Sequence, residues 1–493
     1  MSEAPPSTLD APTAMWLLVG LGVLWIILGW WLARRFRALD QYMLAGRNVG
    51  LALATATTMV TWITSSTTMV ASQMALQLGF WGMVGFVVGA VGLLLFAPLA
   101  DRIRALMPHG YTSGDFMRLR YGKGVWRVFL AISLFFGLGW LVSLGMAGGL
   151  FVQALTGLDY RVGLTVILAI SVTYTALGGL RAVIGTDFIQ ALMVLGAAGV
   201  LAWFAVDHVG LASIHAGVLE ERAELLSLVM PAAILFMVNY LFFGIGMVFH
   251  SNVWWSRAFA FRPGVGKNAF LAAGLLCIPV PVVIGFIALT VPELGLNIPV
   301  VNMVVPLVAS ELLGFTGAVL VFILVFTVVA SSIDSLLAAT SELITRDLYQ
   351  RQVRPEASPE EMRRVARWTV VGLGVLVWLF GLQSLGSLEE ILYIGGVLVA
   401  STIWPVAAGL YWAQTNRQGA LLAMVLGSVA GLVVQGVSGL PVGALMSAAV
   451  SMAIVLLSTW VCPESYDWKA LDEGPMDGAV GDAFEKRRRR SRK

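Results

Sequence analysis

Val328-Val329-Ala330-Ser331-Ser332-Ile333-Asp334-Ser335 sets three hydroxyls and a carboxyl within an apolar run, Leu312 to Ile344, long enough to cross a bilayer. Such groups in hydrocarbon cost several kcal/mol unless something partners them. Their oxygens are hard ligands, suited to alkali and alkaline-earth cations and not to soft metals. The cluster points to an ion taken into the membrane.

Three more apolar stretches are unusually polar. Residues 55–68 (Thr-Ala-Thr-Thr-Met-Val-Thr-Trp-Ile-Thr-Ser-Ser-Thr-Thr) carry hydroxyls too densely for a lipid-facing helix. Close helix packing accounts for part of that density; a helix that unwinds midway and offers carbonyls to an ion accounts for the rest. Asn239, Tyr240, Phe242, Phe243, Gly244, Gly246 and Phe249 form a second group, whose Gly-x-Gly either breaks a helix or serves a tight crossing. Thr186, Asp187 and Gln190 form a third. Asp187 is either an interfacial acid paired with Arg181 or an intramembrane functional group.

The elements that must hold these residues are transmembrane helices. The chain has 493 residues, 58% hydrophobic and 12% charged, where soluble domains carry about a quarter charged residues. At about 20 residues per span, thirteen stretches qualify: 14–33, 51–78, 81–100, 126–154, 161–178, 182–206, 230–250, 268–291, 312–344, 366–386, 389–412, 418–437 and 441–462. Cys277 and Cys462 lie at apolar positions, the four histidines are scattered, and no phosphate-binding loop occurs. Disulfide, metal-ligand and ATP-driven chemistry therefore find no motif.

The leader Met1–Thr13 has no basic residue, whereas Arg34, Arg35 and Arg37 follow the first apolar stretch, so that stretch reads as a retained span and not a signal peptide. This places residues 1–13 outside. Of the 31 Lys and Arg residues, only Arg161 and Arg222 then face out. The Lys486–Lys493 tail, within residues 463–493, becomes cytoplasmic. Ordinary positive-inside charge explains it; contact with anionic lipid is the further expectation, and nucleic-acid binding is not expected.

Spans 2 and 7 each open a five-helix unit, 51–206 and 230–412, with 14–33 as an extra first helix and 418–462 as two peripheral ones. Five is odd, so the second unit enters the membrane inverted. Interrupted helices at matching places in two halves are the pointer to a midplane transporter site.

Three stretches resemble the sodium:solute symporter family. Tyr42-Met43-Leu44-Ala45-Gly46-Arg47 is similar to its aromatic-x-x-Ala-Gly-Arg motif. Gly178-Gly179-Leu180-Arg181-Ala182-Val183 followed by Thr186-Asp187 and Gln190 resembles its Gly-Gly-Leu-basic-Ala-Val and Thr-Asp-x-x-Gln signature. The Ser331 cluster, running through Ala339 and Ser341 to Asp347-Leu348-Tyr349, is similar to its Ser-rich helix. The resemblance covers about residues 40–415 and implies an all-α, LeuT-like membrane fold with a five-plus-five inverted-repeat core.

It also implies a Na⁺ site between spans 2 and 9, with hydroxyls from Ser331 and Ser332 and carbonyls from Val328, Val60 and Ile63. Asp187, Asp334 and Ser335 match positions where some members bind a second sodium. Here the two carboxyls hold either a second cation or a proton, or a single Na⁺ binds and Asp334 stays neutral or hydrogen-bonded. Trp62, Thr67 and Ser72, then Gly79, with Gly246-x-Val248-Phe249, resemble the active urea permease branch. That branch usually has Tyr-Trp-Gln where this chain has Trp254-Trp255-Ser256.

The expected substrate is a small neutral polar solute, urea-like, enclosed by Trp62, Thr67, Asn239 and Phe243, with Tyr393 and Gln383 toward the outer end. An organic cation would also suit the aromatics. No arginine lies at mid-depth in a core span, which disfavours organic acids. The expectation is a non-enzymatic, Na⁺-coupled importer of a bacterial inner membrane. The rivals are a solute sensor with little flux, and a symporter for an amino acid, an organic cation or a short carboxylate.

Overall fold

The computed structural model describes residues 9–34, 38–298, 303–383, 388–438 and 442–472, apart from the side chains of Ser66 and of 388–392. Most of the leader and the basic run 486–493, with its expected lipid contact, lie outside the described residues.

Asp10 caps α1 (Ala11–Ala33), its carboxylate accepting from the Thr13 N–H at 3.0 Å. There follow α2 (Leu39–Leu44), α3 (Leu51–Trp62), α4 (Ala71–Leu78), α5 (Phe80–Gly89), α6 (Val91–Leu106), α7 (Ser113–Tyr121) and α8 (Lys123–Thr156). The middle of the chain forms α9 (Tyr160–His208), α10 (Leu211–Arg222), α11 (Pro231–His250), α12 (Asn252–Ala260), α13 (Gly266–Leu276), α14 (Pro279–Ala288), α15 (Val291–Leu294) and α16 (Val304–Leu313). Then come α17 (Phe315–Leu343), α18 (Pro359–Leu382), α19 (Leu388–Ala400), α20 (Ile403–Tyr411), α21 (Arg417–Ser438), α22 (Gly443–Val461) and α23 (Lys469–Asp472).

Among the described residues, 11 helices are long and apolar enough to cross a membrane. Two expected spans run together in the 49-residue α9, which breaks at Gly179 with φ +56°. A side chain there would be strained by the backbone, and a Cβ would meet the Tyr42 carbonyl oxygen at 2.3 Å. The expected span 51–78 is divided into α3 and α4, because the chain leaves the helix at Ile63 and Thr64 and re-enters through a wide turn at Ser66–Val70. Gly244 and Gly246, by contrast, sit inside the unbroken α11. The break in that region comes at Ser251 (φ −68°, ψ 130°), between α11 and α12.

The α11 glycines therefore serve packing. A Cβ on Gly244 would lie 2.4 Å from the Gly89 carbonyl oxygen, and one on Gly246 would lie 2.8 Å from the Ala400 backbone. Gly244→Ala is expected to cost about 1–3 kcal/mol through overpacking, seen as a lower melting temperature in detergent. An unchanged melting temperature would mean that the two helices can part there freely.

Helix α17 occupies the centre. From Val321 to Leu343 every residue but Ile323 is buried, and α3, α8, α9, α12 and α18 surround it. Its polar residues consequently meet other protein groups and not lipid.

Candidate functional site

The break after α3 follows from local hydroxyl chemistry. The Thr64 N–H, which in a continued helix would close on the Val60 carbonyl, donates to Thr67 Oγ1 at 2.9 Å. Thr67 Oγ1 donates in turn to the Thr64 carbonyl at 2.8 Å, and its N–H takes the same oxygen at 3.1 Å. The carbonyls of Val60 and Ile63, three residues apart, are thereby turned out of the helical ladder. Facing them on α17, Ser332 Oγ donates to the Val328 carbonyl at 2.9 Å and reaches the Ile63 carbonyl at 3.4 Å. Ser332, Val328 and Ile63 are thus brought together, while Val60 lies one turn earlier on α3.

Ser331 is turned elsewhere. Its hydroxyl donates to Asp187 Oδ1 at 2.6 Å, while Thr57 donates to Asp187 Oδ2 at 2.5 Å. Asp187 pairs neither with Arg181, which donates to Gln41, nor with solvent. Its cationic partner is Arg257 on α12, at 3.3 Å, with both side chains fully buried. The Arg257 guanidinium also donates to Thr57 Oγ1 (3.1 Å), Thr61 Oγ1 (2.6 Å), Ser335 Oγ (2.7 Å) and the Val253 carbonyl (3.1 Å).

All nine residues of α12 are buried, so this is no surface loop. The expectation of no mid-depth arginine in the core spans leaves out α12, a short buried helix from which Arg257 enters. Asp334 lies close enough to this cluster for its charge to act on both Asp187 and Arg257; it accepts from Tyr174 Oη at 2.6 Å, and its Oδ1 has no hydrogen-bond partner among the described residues. No group of three or more His, Cys, Asp or Glu that could hold a metal occurs among them. Any cation here would meet hydroxyl, carbonyl and single-carboxylate oxygens.

A cavity of about 1080 Å³, counted to its open mouth, lies above the break toward the α4 side. Asn239, Phe243 and Tyr393 line it, as do Ser65, Trp140 and Gln435, none of them charged. Trp140 and Phe243 stack with centroids 5.8 Å apart and planes 15° from parallel. Trp62 and Thr67 are not in this lining. Trp62 packs 6.0 Å from Trp254, Thr67 stabilises the break, and Gln383 is exposed at the end of α18. A smaller space of about 330 Å³ is lined by Thr61, Thr64, Ser251, Trp254 and Ser332, with Trp140 shared between the two.

A second group of charges ties α7 to the segment after α17. Thr112 and Asp115 form a capping box on α7. Asp115 pairs with Arg351, and Asp347 accepts from Thr112 at 2.8 Å and Trp126 at 2.9 Å. Burial pushes the Asp115 carboxyl up, but Arg351, Arg346 and the Tyr111 and Thr112 N–H groups hold its pKa below the usual carboxylate value. Its pairing contributes stability above the unfolded pKa of about 3.9 and loses it only as pH falls through the lower folded value. The Asp115–Arg351 pair therefore persists through the neutral range.

Sequence reasoning missed Arg257, Trp140 and Gln435. Arg257 had a signal, being flanked by Trp254-Trp255-Ser256 and Ala258-Phe259-Ala260 with no second charge beside it.

Comparison with known proteins fits this architecture. The sequence profile of the sodium:solute symporter family matches residues 42–427. The urea-proton symporter DUR3 of Oryza sativa subsp. japonica is 27% identical over 448 residues, covering 82% of this chain and 62% of that protein. The urea active transporter of Saccharomyces cerevisiae is 23% identical over 454 residues, covering 84% and 61%. This chain thus spans about three-fifths of the length of those two relatives. The osmoregulated proline transporter OpuE of Bacillus subtilis is 26% identical over 439 residues, covering 85% and 88%.

Among solved structures, a Na⁺-coupled sialic acid symporter in a substrate-bound outward-open state matches with a TM-score of 0.81 at 17% identity, over 92% of this chain and 99% of that one. A nucleobase-cation-symport-1 transporter, Mhp1, matches with a TM-score of 0.55 at 14% identity, over 90% and 98%. Both likenesses concern the fold, an all-helical LeuT-like one. With the profile covering most of its length, this chain is a member of the sodium:solute symporter family.

Proposed function

We propose that this protein is a sodium-coupled symporter that imports a small neutral polar solute, urea-like, by alternating access. The observation that carries the sodium assignment is the helix break at which the Ile63 carbonyl meets Ser332 and Val328 on α17, with the Val60 carbonyl released from its helical partner one turn earlier. Hydroxyl and carbonyl oxygens at a broken helix suit an alkali cation. Bound there, the ion bridges α3 and α17 and favours the state in which the large cavity is open. Coupling requires solute and ion to prefer that same state, since a ligand shifts an equilibrium only by its differential affinity.

The solute assignment rests on the cavity lining. Ser65, Asn239, Tyr393 and Gln435 provide neutral donors and acceptors beside the Trp140–Phe243 pair. Nothing in that lining clamps a carboxylate, and the urea transporters among the relatives support the same class. On the positive-inside rule the Arg-rich loops face the cytoplasm, residues 1–13 face out, and the cavity faces outward. Breaks after α3 and after α11 support inverted repeats over 51–206 and 230–412. A bacterial inner membrane is the proposed location.

Proton coupling is the second reading, favoured by the naming of one relative as a urea-proton symporter. The test is uptake into proteoliposomes of labelled urea, amino acids, choline-like cations and short carboxylates under an imposed Na⁺ gradient or an imposed pH gradient. Urea accumulation that follows the Na⁺ gradient is expected. Accumulation that follows only the pH gradient would replace the coupling ion. Solute binding with no accumulation under either gradient would favour the sensor.

A further inference from the structure

Thr57 and Thr61 are four apart on α3, and Ser331 and Ser335 are four apart on α17, so each pair lies on one helical stripe. Asp187 of α9 closes the third side. Three of these hydroxyl oxygens (Thr57, Thr61, Ser335) and a carboxylate oxygen of Asp187 lie within 3.3 Å of one cation, the Arg257 guanidinium. Without it, they would be a hard-oxygen set with one full negative charge, the donor type for an alkali ion.

Building on the sodium reading above, we infer that Arg257 is a tethered cation that fills the second cation site at Asp187, so that one mobile sodium ion binds instead of two. An arginine is suited to this because it stays charged and its planar fork can satisfy several acceptors at once. The buried location makes the substitution exclusive: two unit cations that close in a low-dielectric interior repel strongly. Na⁺ therefore enters this second site only where the guanidinium has left. The same side chain spans α3, α9 and α17 from α12, so it also ties together the helices that part when the inner end opens. The first site is built from other oxygens, those of Val60, Ile63, Val328 and Ser332, and remains free for the mobile ion.

The experiment counts labelled sodium bound to the purified full chain by scintillation proximity, which needs no transport. Wild type should bind one ion, Arg257→Lys one, Arg257→Ala two, and Arg257→Ala combined with Asp187→Asn one. Two ions on the wild type would overturn the inference, and that result does not depend on any variant folding. One ion on a monodisperse Arg257→Ala protein would also overturn it. No ion on the wild type but one on Arg257→Ala would overturn the proposed first sodium site while upholding the tethered cation. No ion on either would overturn both.

Discussion

Ser332→Ala is expected to raise the sodium concentration for half-maximal uptake about ten- to a hundred-fold, with the maximal rate changed much less. The hydroxyl bridges the Val328 and Ile63 carbonyls, and its removal takes one oxygen from a four-oxygen set. A polar contact to a charged group is worth about 1.5–3 kcal/mol, and 1.4 kcal/mol is about a factor of ten in affinity. Ser332→Thr keeps the oxygen and should recover most of the lost affinity. Ser331→Ala is the informative contrast. The Ser331 hydroxyl donates to Asp187, so its loss should weaken the Asp187–Arg257 pair and leave the sodium dependence of uptake nearly as it was. Sodium titration of uptake in proteoliposomes checks all three. An unchanged half-saturation point in Ser332→Ala would remove the site from this junction. Equal shifts in both alanine variants would restore Ser331 to the ligand set.

The different fates of these adjacent serines set the limit of what could be read without coordinates. The cluster on α17 was legible because polar residues in an apolar run have no bland explanation, and the structure buries them all. The broken α3 was legible for a similar reason: a run rich in threonine offers the backbone alternative partners, and Thr67 takes up that role. What spacing could not supply was the third dimension. Ser331 and Ser332 are about 100° apart on a helix, so one faces α9 and the other faces the α3 break, but nothing local says which.

Arg257 was hidden by a rule that works on averages. Basic residues between spans belong mostly to cytoplasmic loops, and Arg262 and Lys267 nearby carry the same reading. Only the buried α12 reveals that this one turns inward. The types of Gly244 and Gly246 suit either a helix break or a tight crossing, and the close approach of Gly89 and Ala400 decides for the crossing. The break lies at Ser251, a residue without a glycine's signature.

Asp187→Asn should abolish accumulation and lower the melting temperature, because it strips the carboxylate from a guanidinium that has no route to water. Both partners are fully buried, and breaking such a pair from one side costs about 3–5 kcal/mol through the charge left behind. Asparagine keeps the shape and can still accept from Ser331 or Thr57, so the loss isolates charge and not volume. The double variant Asp187→Asn, Arg257→Gln removes both charges and should be more stable than Asp187→Asn alone, since a neutral hydrogen-bonded pair replaces an unpaired ion. Residues in direct contact are expected to be strongly non-additive. Melting temperatures of all four proteins in detergent, wild type included, close the cycle. Additive effects would mean that the pair does not act as a unit, and α3 would then have to be held to α9 and α17 here by apolar packing alone. Coupled effects with accumulation still absent in the double variant would assign the charges a second role, in the movement of α12 itself.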